Sequence, residues 1–371
     1  MNPEVKKEMM NPEHKKEILF YYESDHANPN GDPGFENMPR LVQDGTILVT
    51  DVRIKRTIRD YAKNVLLPKE TLFVERKKEG EAIKADERVE ELGIKLDKDD
   101  IIRALLEKTF DVPLFGALVP IRKKKDKKGG SAENKNQIGL ATDDSNQLQS
   151  EESQVGRSAK LTGTVQFGLG KSVNQPEILT PSITSAFQGA ETTSKTTYGS
   201  IGKFSIVDYA LIKVHGAINP MNLGDYYKDE EVKKKFIEKE SKLFECLWNG
   251  TNELITRSKW RQKSIFFIEV TYKSSIYNDL GSLIIENDIV KGKRGIKKLP
   301  TLNITSNHNI EKIFNFENFI KVMELRKNNI IQIRIKGSEE IKKEISMLCT
   351  DLQDKLGKNG QFNKDSIKII D

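Results

Sequence analysis

The chain has 371 residues, a length that fits about two domains or one domain with large insertions, and enough to bury a sizeable core. Its 61 Lys and Arg exceed its 55 Asp and Glu by only six charges, so any polyanion-binding surface has to be a local feature. Apolar residues make up 36% of the chain, and no run approaches the roughly 18 apolar residues of a helical membrane span.

The segment Met1 to Glu17 is charged and lacks the apolar stretch of a secretory signal. Cys246 and Cys349 are too few for a disulfide framework, so a reduced, cytoplasmic compartment is expected. Familiar catalytic and cofactor patterns fail. His14, His26, His215 and His308 are scattered, without zinc-ligand spacing. Gly170-Lys171-Ser172 resembles the end of a phosphate-binding loop, but Val165 stands where its first glycine belongs. The turn at Asn28, Asn30 and Gly31 would put His26 and Asn37 at the ends of a calcium loop, where carboxylates are needed. No cofactor is expected.

Ile18 to Ser24 reads as a buried strand, and the turn-forming run Asp25 to Gly34 as a compact loop. Thr50 or Asp51 can cap a helix that runs to about Asn64. A second helix is expected from Asp97 to Phe110, with Ile101, Ile102, Leu105 and Leu106 inward. From Arg122 to Lys160 the chain is polar and basic, and a mobile insertion is expected. Strands are expected at Leu161–Phe167, Ser205–Ile218, Ser264–Lys273 and Ile330–Lys336, and helices at Glu230–Trp248 and Ser338–Leu356. Ser182 to Lys203 fits an exposed hairpin or arm. The expected class is α+β, a sheet covered by helices.

The first helix is the most informative element. At about 100° per residue, Ile54, Ile58, Tyr61 and Val65 fall on one apolar arc, and Arg53, Lys55, Arg56, Arg59 and Lys63 on the other, opposed only by Asp51 and Asp60. Such an arc is either a solvated face or a polyanion contact. Arginine forks pair with phosphate through two hydrogen bonds, and the helix N-terminus adds partial positive charge. Arg40, Arg157, Lys160, Lys171, Lys203 and the run Arg257-Ser258-Lys259-Trp260-Arg261-Gln262-Lys263 are candidates to extend the patch. Trp260 is either a base-stacking platform or a partly buried strand residue. Lys291 to Lys298 is a second basic loop.

Several segments resemble one known family. They are Asn30-Gly31-Asp32-Pro33, Asn37-Met38-Pro39-Arg40, Leu48-Val49-Thr50-Asp51-Val52, Lys55-Arg56-Thr57-Ile58-Arg59-Asp60-Tyr61, Leu114-Phe115-Gly116-Ala117, Thr162-Gly163-Thr164-Val165-Gln166-Phe167 and His215-Gly216-Ala217-Ile218-Asn219-Pro220. Together they resemble the backbone subunit of type I CRISPR interference (Cascade) complexes, the Cas-seven family. Leu247-Trp248-Asn249-Gly250-Thr251 and Thr256-Arg257-Ser258-Lys259 resemble its type I-B, Csh-two branch.

The resemblance implies a modified RNA-recognition-motif, ferredoxin-like core with large insertions forming palm, fingers and thumb. Residues 18–117, 161–273 and 330–371 would be the palm, 118–160 the fingers, 182–203 the thumb and 274–329 a loop-rich insertion. It implies a cytoplasmic, non-catalytic subunit that assembles with identical copies as a helical filament along the CRISPR RNA. Other Cascade subunits and, through guide pairing, the target DNA strand would be partners. Carried over, Lys55 and Arg59 hold guide phosphates, and Thr50 and Arg53 sit beside them. Arg40, Arg56, Arg157, Lys160, Gln166, Lys171, Lys203, Arg257 and Lys259 are further contacts, with Phe187 a wedge between bases. Two alternatives stand beside this reading. Related type III subunits cut target RNA with an acidic residue in the corresponding early loop, where this chain has Asp25 and Asp32. The chain could also be a free-standing single-stranded RNA-binding protein.

Overall fold

The computed structural model describes residues 14–66, 71–75, 83–96, 99–122, 155–184, 201–286, 313–357 and 366–370. In chain order these form β1 (Lys15–Ala27), β2 (Gly31–Asp32), β3 (Met38–Pro39), β4 (Leu48–Val49), α1 (Asp51–Tyr61), α2 (Ala85–Glu91), α3 (Ile101–Lys108), α4 (Asp111–Phe115), β5 (Gly116–Arg122), β6 (Val155–Thr162), β7 (Val165–Phe167), β8 (Gly170–Ser172), β9 (Ile178–Leu179), β10 (Ser182–Thr184), β11 (Ile201–Lys203) and β12 (Ile206–Ile218). The chain continues through α5 (Glu230–Ser241), α6 (Leu243–Asn252), β13 (Gln262–Tyr272), α7 (Leu280–Leu283), β14 (Ile285–Glu286), β15 (Phe314–Asn315), α8 (Glu317–Arg326), β16 (Ile330–Gly337), α9 (Lys342–Gly357) and β17 (Ile367–Ile369). The mixture is α+β.

Contacts divide the chain into two units, one of residues 1–69, 164–221 and 240–371, the other of 70–163 and 222–239. Residues 70–117, placed with the palm from sequence, fall in the second unit.

The first unit is built on a sheet ordered β17-β16-β13-β1-β12-β8-β4, with β7 and β9 also paired to β12. β1 lies antiparallel between β12 and β13, with Leu19 opposite both His215 and Ile268. The run β1-α1-β8-β12-α6-β13 is a β-α-β-β-α-β unit whose strands lie in the order β8-β12-β1-β13. Both sheet faces are covered, which is why Ile18 to Tyr22 is continuously apolar rather than alternating. On one face Phe20 stacks on Tyr22 and meets Trp248 of α6. On the other, Leu19, Tyr21, Phe266, Phe314 and Phe319 form one core with Ile345, Leu348 and Leu352 of α9. Against the first face α1 and α6 close tightly. A side chain at Gly250 would press on Tyr61 Cβ at 2.9 Å and the Thr57 carbonyl at 3.1 Å.

The second unit centres on the β5–β6 antiparallel pair and its helices. Ile101, Ile102, Leu105 and Leu106 of α3 are buried, as their spacing predicts. The buried Lys239 donates to the carbonyls of Leu106 at 2.9 Å and Thr109 at 2.7 Å, satisfying the C-terminal end of α3.

Several expected boundaries shift. The first helix ends at Tyr61 and passes into a wider π-type turn, Ala62–Leu66. That turn lags the 100° spacing, and Val65 is exposed instead of joining the apolar arc. The second helix is confined to Ile101–Lys108, with the Asp100 side chain accepting from Arg103 N at its start. The strand expected at Leu161–Phe167 breaks at Gly163, whose α-carbon packs so tightly on the backbone of Phe115 and Gly116 that a side chain would overlap it. Arg122 is the last residue of β5, and residues 155–160, expected in the polar insertion, belong to β6. Glu230–Trp248 is two helices that meet at Lys242. The arm is closed by Ser182 pairing with Lys203 and Thr184 with Ile201; residues 185–200, Phe187 among them, lie outside the described residues, as do 123–154 and the basic loop 291–298.

Candidate nucleic-acid interface

The loop after β1 is fixed by amides. Asn28, buried, donates through Nδ2 to the carbonyls of Asn37 at 2.7 Å and Ser205 at 3.1 Å. Asn30 Oδ1 accepts from Thr50 N at 3.3 Å and Thr50 Oγ1 at 3.1 Å. Thr50 in turn caps α1 by accepting from Arg53 N at 3.3 Å. The sequence left Thr50 and Asp51 as alternative caps, and the cap is Thr50. His26, Glu36 and Asn37 hold φ of 48°, 45° and 58°, a left-handed backbone that asparagine and histidine adopt most readily and that costs about 1 kcal/mol or more at Glu36. Strain gathered in one loop and held by buried amides is the mark of a site whose shape matters.

The cations of α1 do not act as one arc. Lys55 pairs with Asp51 at 3.0 Å, and Arg56 with Asp60 at 2.7 Å. Arg59 is buried, only 8% exposed, where a solvated position was expected. It lies beside Ile58 at the edge of the packed face. Arg53 is different: among the described residues it makes no ion pair, and burial presses its pKa below the ordinary value.

Lys259 reaches the same place from the other end of the unit. Its Nζ donates to the Asn28 carbonyl at 2.5 Å, and Asn28 N donates to the Ser258 carbonyl at 2.6 Å, so the 258–259 turn is sewn to the β1 loop. Burial and the charge of Arg53 push the Lys259 ammonium down to about 7. Arg257, exposed, lies over the Phe204 ring at 5.2 Å. Trp260 is 57% exposed, with the Arg261 guanidinium 5.5 Å from its ring, so it is a surface aromatic and not the half-buried strand residue that was one expectation. Phe35, at the tip of the β2–β3 turn, is 71% exposed. Arg53, Arg257 and Lys259, which make no ion pair among the described residues, are suited to a phosphate backbone, and the exposed Trp260 to an accessible base.

A family model described as CRISPR-associated protein Cas7 matches residues 14–306. The chain belongs to the Cas7 family. It is 33% identical over 111 residues to a CRISPR-associated protein Cas7 of Haloferax volcanii, a match covering 28% of this chain and 32% of that relative. The matched part thus spans about a third of the relative's length. Two solved structures are among those the chain is similar to. One, titled CRISPR RNA-guided surveillance complex, pre-nicking, is 11% identical with a TM-score of 0.42 and covers 88% of this chain and 92% of its own. The other, titled CRISPR RNA-guided surveillance complex, is 10% identical with a TM-score of 0.37 and covers 88% and 89%.

Within this Cas7-family chain the remaining sequence candidates are spread out. Arg40 pairs with Asp32 at 3.1 Å, and its backbone N donates to the Asn30 carbonyl at 3.1 Å, which places it on the site loop. Lys171 is held by Asp44 at 2.6 Å, an interaction that lowers the Asp44 carboxyl to about 2. Gln166 and Lys203 are exposed, on β7 and β11 of the first unit. Arg157 and Lys160 sit on β6, in the second unit.

Asp25, buried, accepts from Arg261 at 2.5 Å and pairs with His26 Nδ1 at 2.6 Å. Asp32 accepts from Gly34 N at 3.0 Å and pairs with Arg40. Among the described residues no three His, Cys, Asp or Glu gather to hold a metal, and no helix is long and apolar enough to cross a membrane.

Sequence reasoning named Arg53, Arg257 and Lys259 but not that Lys259 bonds the Asn28 carbonyl with Arg53 as its charged neighbour. Helix spacing held part of the signal. Lys55 has Asp51 four residues before it and Arg56 has Asp60 four after, whereas Arg53 has no acid at 49, 50, 56 or 57.

Proposed function

We propose that the protein is the guide-RNA-binding backbone subunit of a CRISPR surveillance complex, of type I-B, and that the β1 loop, the start of α1 and the 257–260 turn hold the RNA backbone. The observation that carries this is the Lys259 ammonium bonded to the Asn28 carbonyl, with Arg53 as its charged neighbour and no carboxylate paired to either among the described residues. A membership in the Cas7 family supports the guide as the ligand. The strand order β8-β12-β1-β13, with α1 and α6 packed side by side, supports a ferredoxin-like, RNA-recognition-motif palm. Ordinary members of that class stack bases on the open sheet face. Here Phe20, Tyr21 and Tyr22 are buried on both faces, so the RNA has to run along the loop edge.

In this reading the β10–β11 pair is the base of the thumb, β5 and β6 are the base of the fingers, and identical subunits repeat along the guide as a filament. Other Cascade subunits cap the filament, and target DNA is met through pairing with the exposed guide bases. The subunit works in the cytoplasm and is non-catalytic. Asp25 and Asp32, the candidates for an RNA-cutting centre, serve instead to fix the loop: one is tied to Arg261 and His26, the other to Arg40 and the Gly34 turn. The backbone contacts carry no sequence information, so binding is independent of base order.

The test is affinity for unstructured single-stranded RNA against salt. Three phosphate contacts per subunit, by Arg53, Arg257 and Lys259, give a loss of roughly twentyfold between 50 and 200 mM monovalent salt. A dissociation constant that stays level over that range contradicts the proposal.

A further inference from the structure

Asn28 joins two loops at one residue. Its backbone N donates to the Ser258 carbonyl at 2.6 Å and its carbonyl accepts from Lys259 Nζ at 2.5 Å, while its Nδ2 donates to the Asn37 carbonyl at 2.7 Å. The loop reached by that side chain is the turn from Gly31 to Pro39, and it is stiff. The Asp32 carbonyl accepts from Phe35 N at 3.1 Å and Asn37 N at 2.9 Å, Asp32 Oδ1 accepts from Gly34 N at 3.0 Å, and the Phe35 carbonyl accepts from Met38 N at 2.8 Å. The turn closes so tightly that a side chain at Gly31 would overlap the Asn37 amide. At its tip Phe35 is 71% exposed, a phenyl ring standing in water on a backbone bonded on both sides of it. The turn carries Asp32 and Glu36 and no Lys or Arg, and Asp32 is taken by Arg40. A phosphate is repelled by Glu36 and gains nothing at this tip, whereas a flat, neutral nucleobase gains contact with the ring.

We propose that Phe35 is a stacking platform for a base of the RNA whose backbone is held by Arg53, Arg257 and Lys259. The proposal rests on the guide-RNA reading and adds to it a contact to a base, made by a turn that offers no charge to phosphate. A phenylalanine on a fixed turn gives up few torsions when it is covered, so little ordering cost offsets the contact. Every base has a π face, so stacking is compatible with binding that ignores base order. Asn28 sets the spacing. The residue that accepts from Lys259 also bonds the Phe35 turn, so the backbone contact and the base contact are held in register through one side chain. The two kinds of contact separate in salt. Counterions are released by the cations alone, so Phe35 contributes affinity without contributing to its salt slope.

The experiment uses the full chain and two oligomers short enough for one subunit, an unstructured RNA and a base-free ribose-phosphate chain of the same length. Affinity is read by fluorescence anisotropy from about 50 to 200 mM monovalent salt. Phe35→Ala is expected to weaken RNA binding by roughly five- to tenfold at every salt concentration, the lower part of the range for one stacked base, with the parent's slope. It leaves the affinity for the base-free chain unchanged and melts with the parent, since the side chain is mostly in water. Phe35→Trp keeps a π face and keeps RNA binding. Parent-like RNA affinity in Phe35→Ala overturns the proposal, as does an equal loss on both oligomers, which would make the ring a prop for the turn. A loss seen only on RNA long enough for two subunits also overturns it and assigns the ring to a neighbouring copy. Each of these leaves the guide-RNA reading standing. A parent that binds neither oligomer at the lowest salt overturns both.

Discussion

Ile58→Asp unfolds the first unit. Ile58 is 0% exposed, on the face of α1 that packs against α6 and the sheet. Removing the side chain from a packed interior costs about 2–5 kcal/mol, and forcing a carboxylate into its place adds several more. Total stabilities are only about 5–15 kcal/mol, so the cooperative melt is lost or lowered by tens of degrees. Val52→Asp is the matched control. Val52, six residues earlier on the same helix, is 67% exposed, and the same charge there shifts stability by no more than about 0.5 kcal/mol. Circular dichroism on heating separates the two, and an Ile58→Asp protein melting within a few degrees of the parent would sink the packing assigned to this helix.

Arg53→Ala combined with Lys259→Met lowers RNA affinity by at least about a hundredfold at pH 6, because each charge-assisted contact contributes about 1.5–3 kcal/mol. The same double variant loses the Lys259–Asn28 hydrogen bond, worth about 0.5–1.5 kcal/mol, and the packing of the Arg53 stem, partly offset by removal of a buried ammonium. Its melting temperature therefore falls by several degrees and not by the tens of degrees of Ile58→Asp. The native chain holds Lys259 with a lowered pKa, so between about pH 7 and the ordinary lysine value the unfolded chain binds the extra proton and stability rises with pH. At pH 6 the penalty of the buried ammonium is fully present, and methionine removes it. Lys55→Ala with Arg59→Ala behaves differently from what the helical wheel implies. Arg59 is buried, so its truncation costs stability as well as charge. Lys55 is already held by Asp51.

The strands and helices of the first unit were legible because burial imposes period. Ile331, Ile333 and Ile335 on β16 and Ile341, Ile345, Leu348 and Leu352 along α9 and the turn before it are all buried, as their spacing requires. Boundaries were less legible, because they depend on contacts distant in sequence. The break at Gly163 follows from its packing on Phe115, and the early end of the first helix from the π-type turn at Ala62. The site was half legible. The α1 cations and the Arg257–Lys259 turn were visible as residue types. That Lys259 lands on Asn28, that Arg59 turns inward and that Arg53 alone of the helix's early cations lacks an acid in ion-pair contact are products of the fold.

The most direct measurement is the nucleic acid that leaves the cell with the protein. Expressed with a CRISPR array and its processing machinery and purified at low salt, the chain should carry short RNA of one repeat-derived end sequence, protected over lengths that grow by a constant step per bound subunit. The Arg53→Ala, Lys259→Met variant should leave most of that RNA behind. A parent protein that emerges free of RNA, or with random cellular RNA of no common end, contradicts the account of a guide-binding backbone.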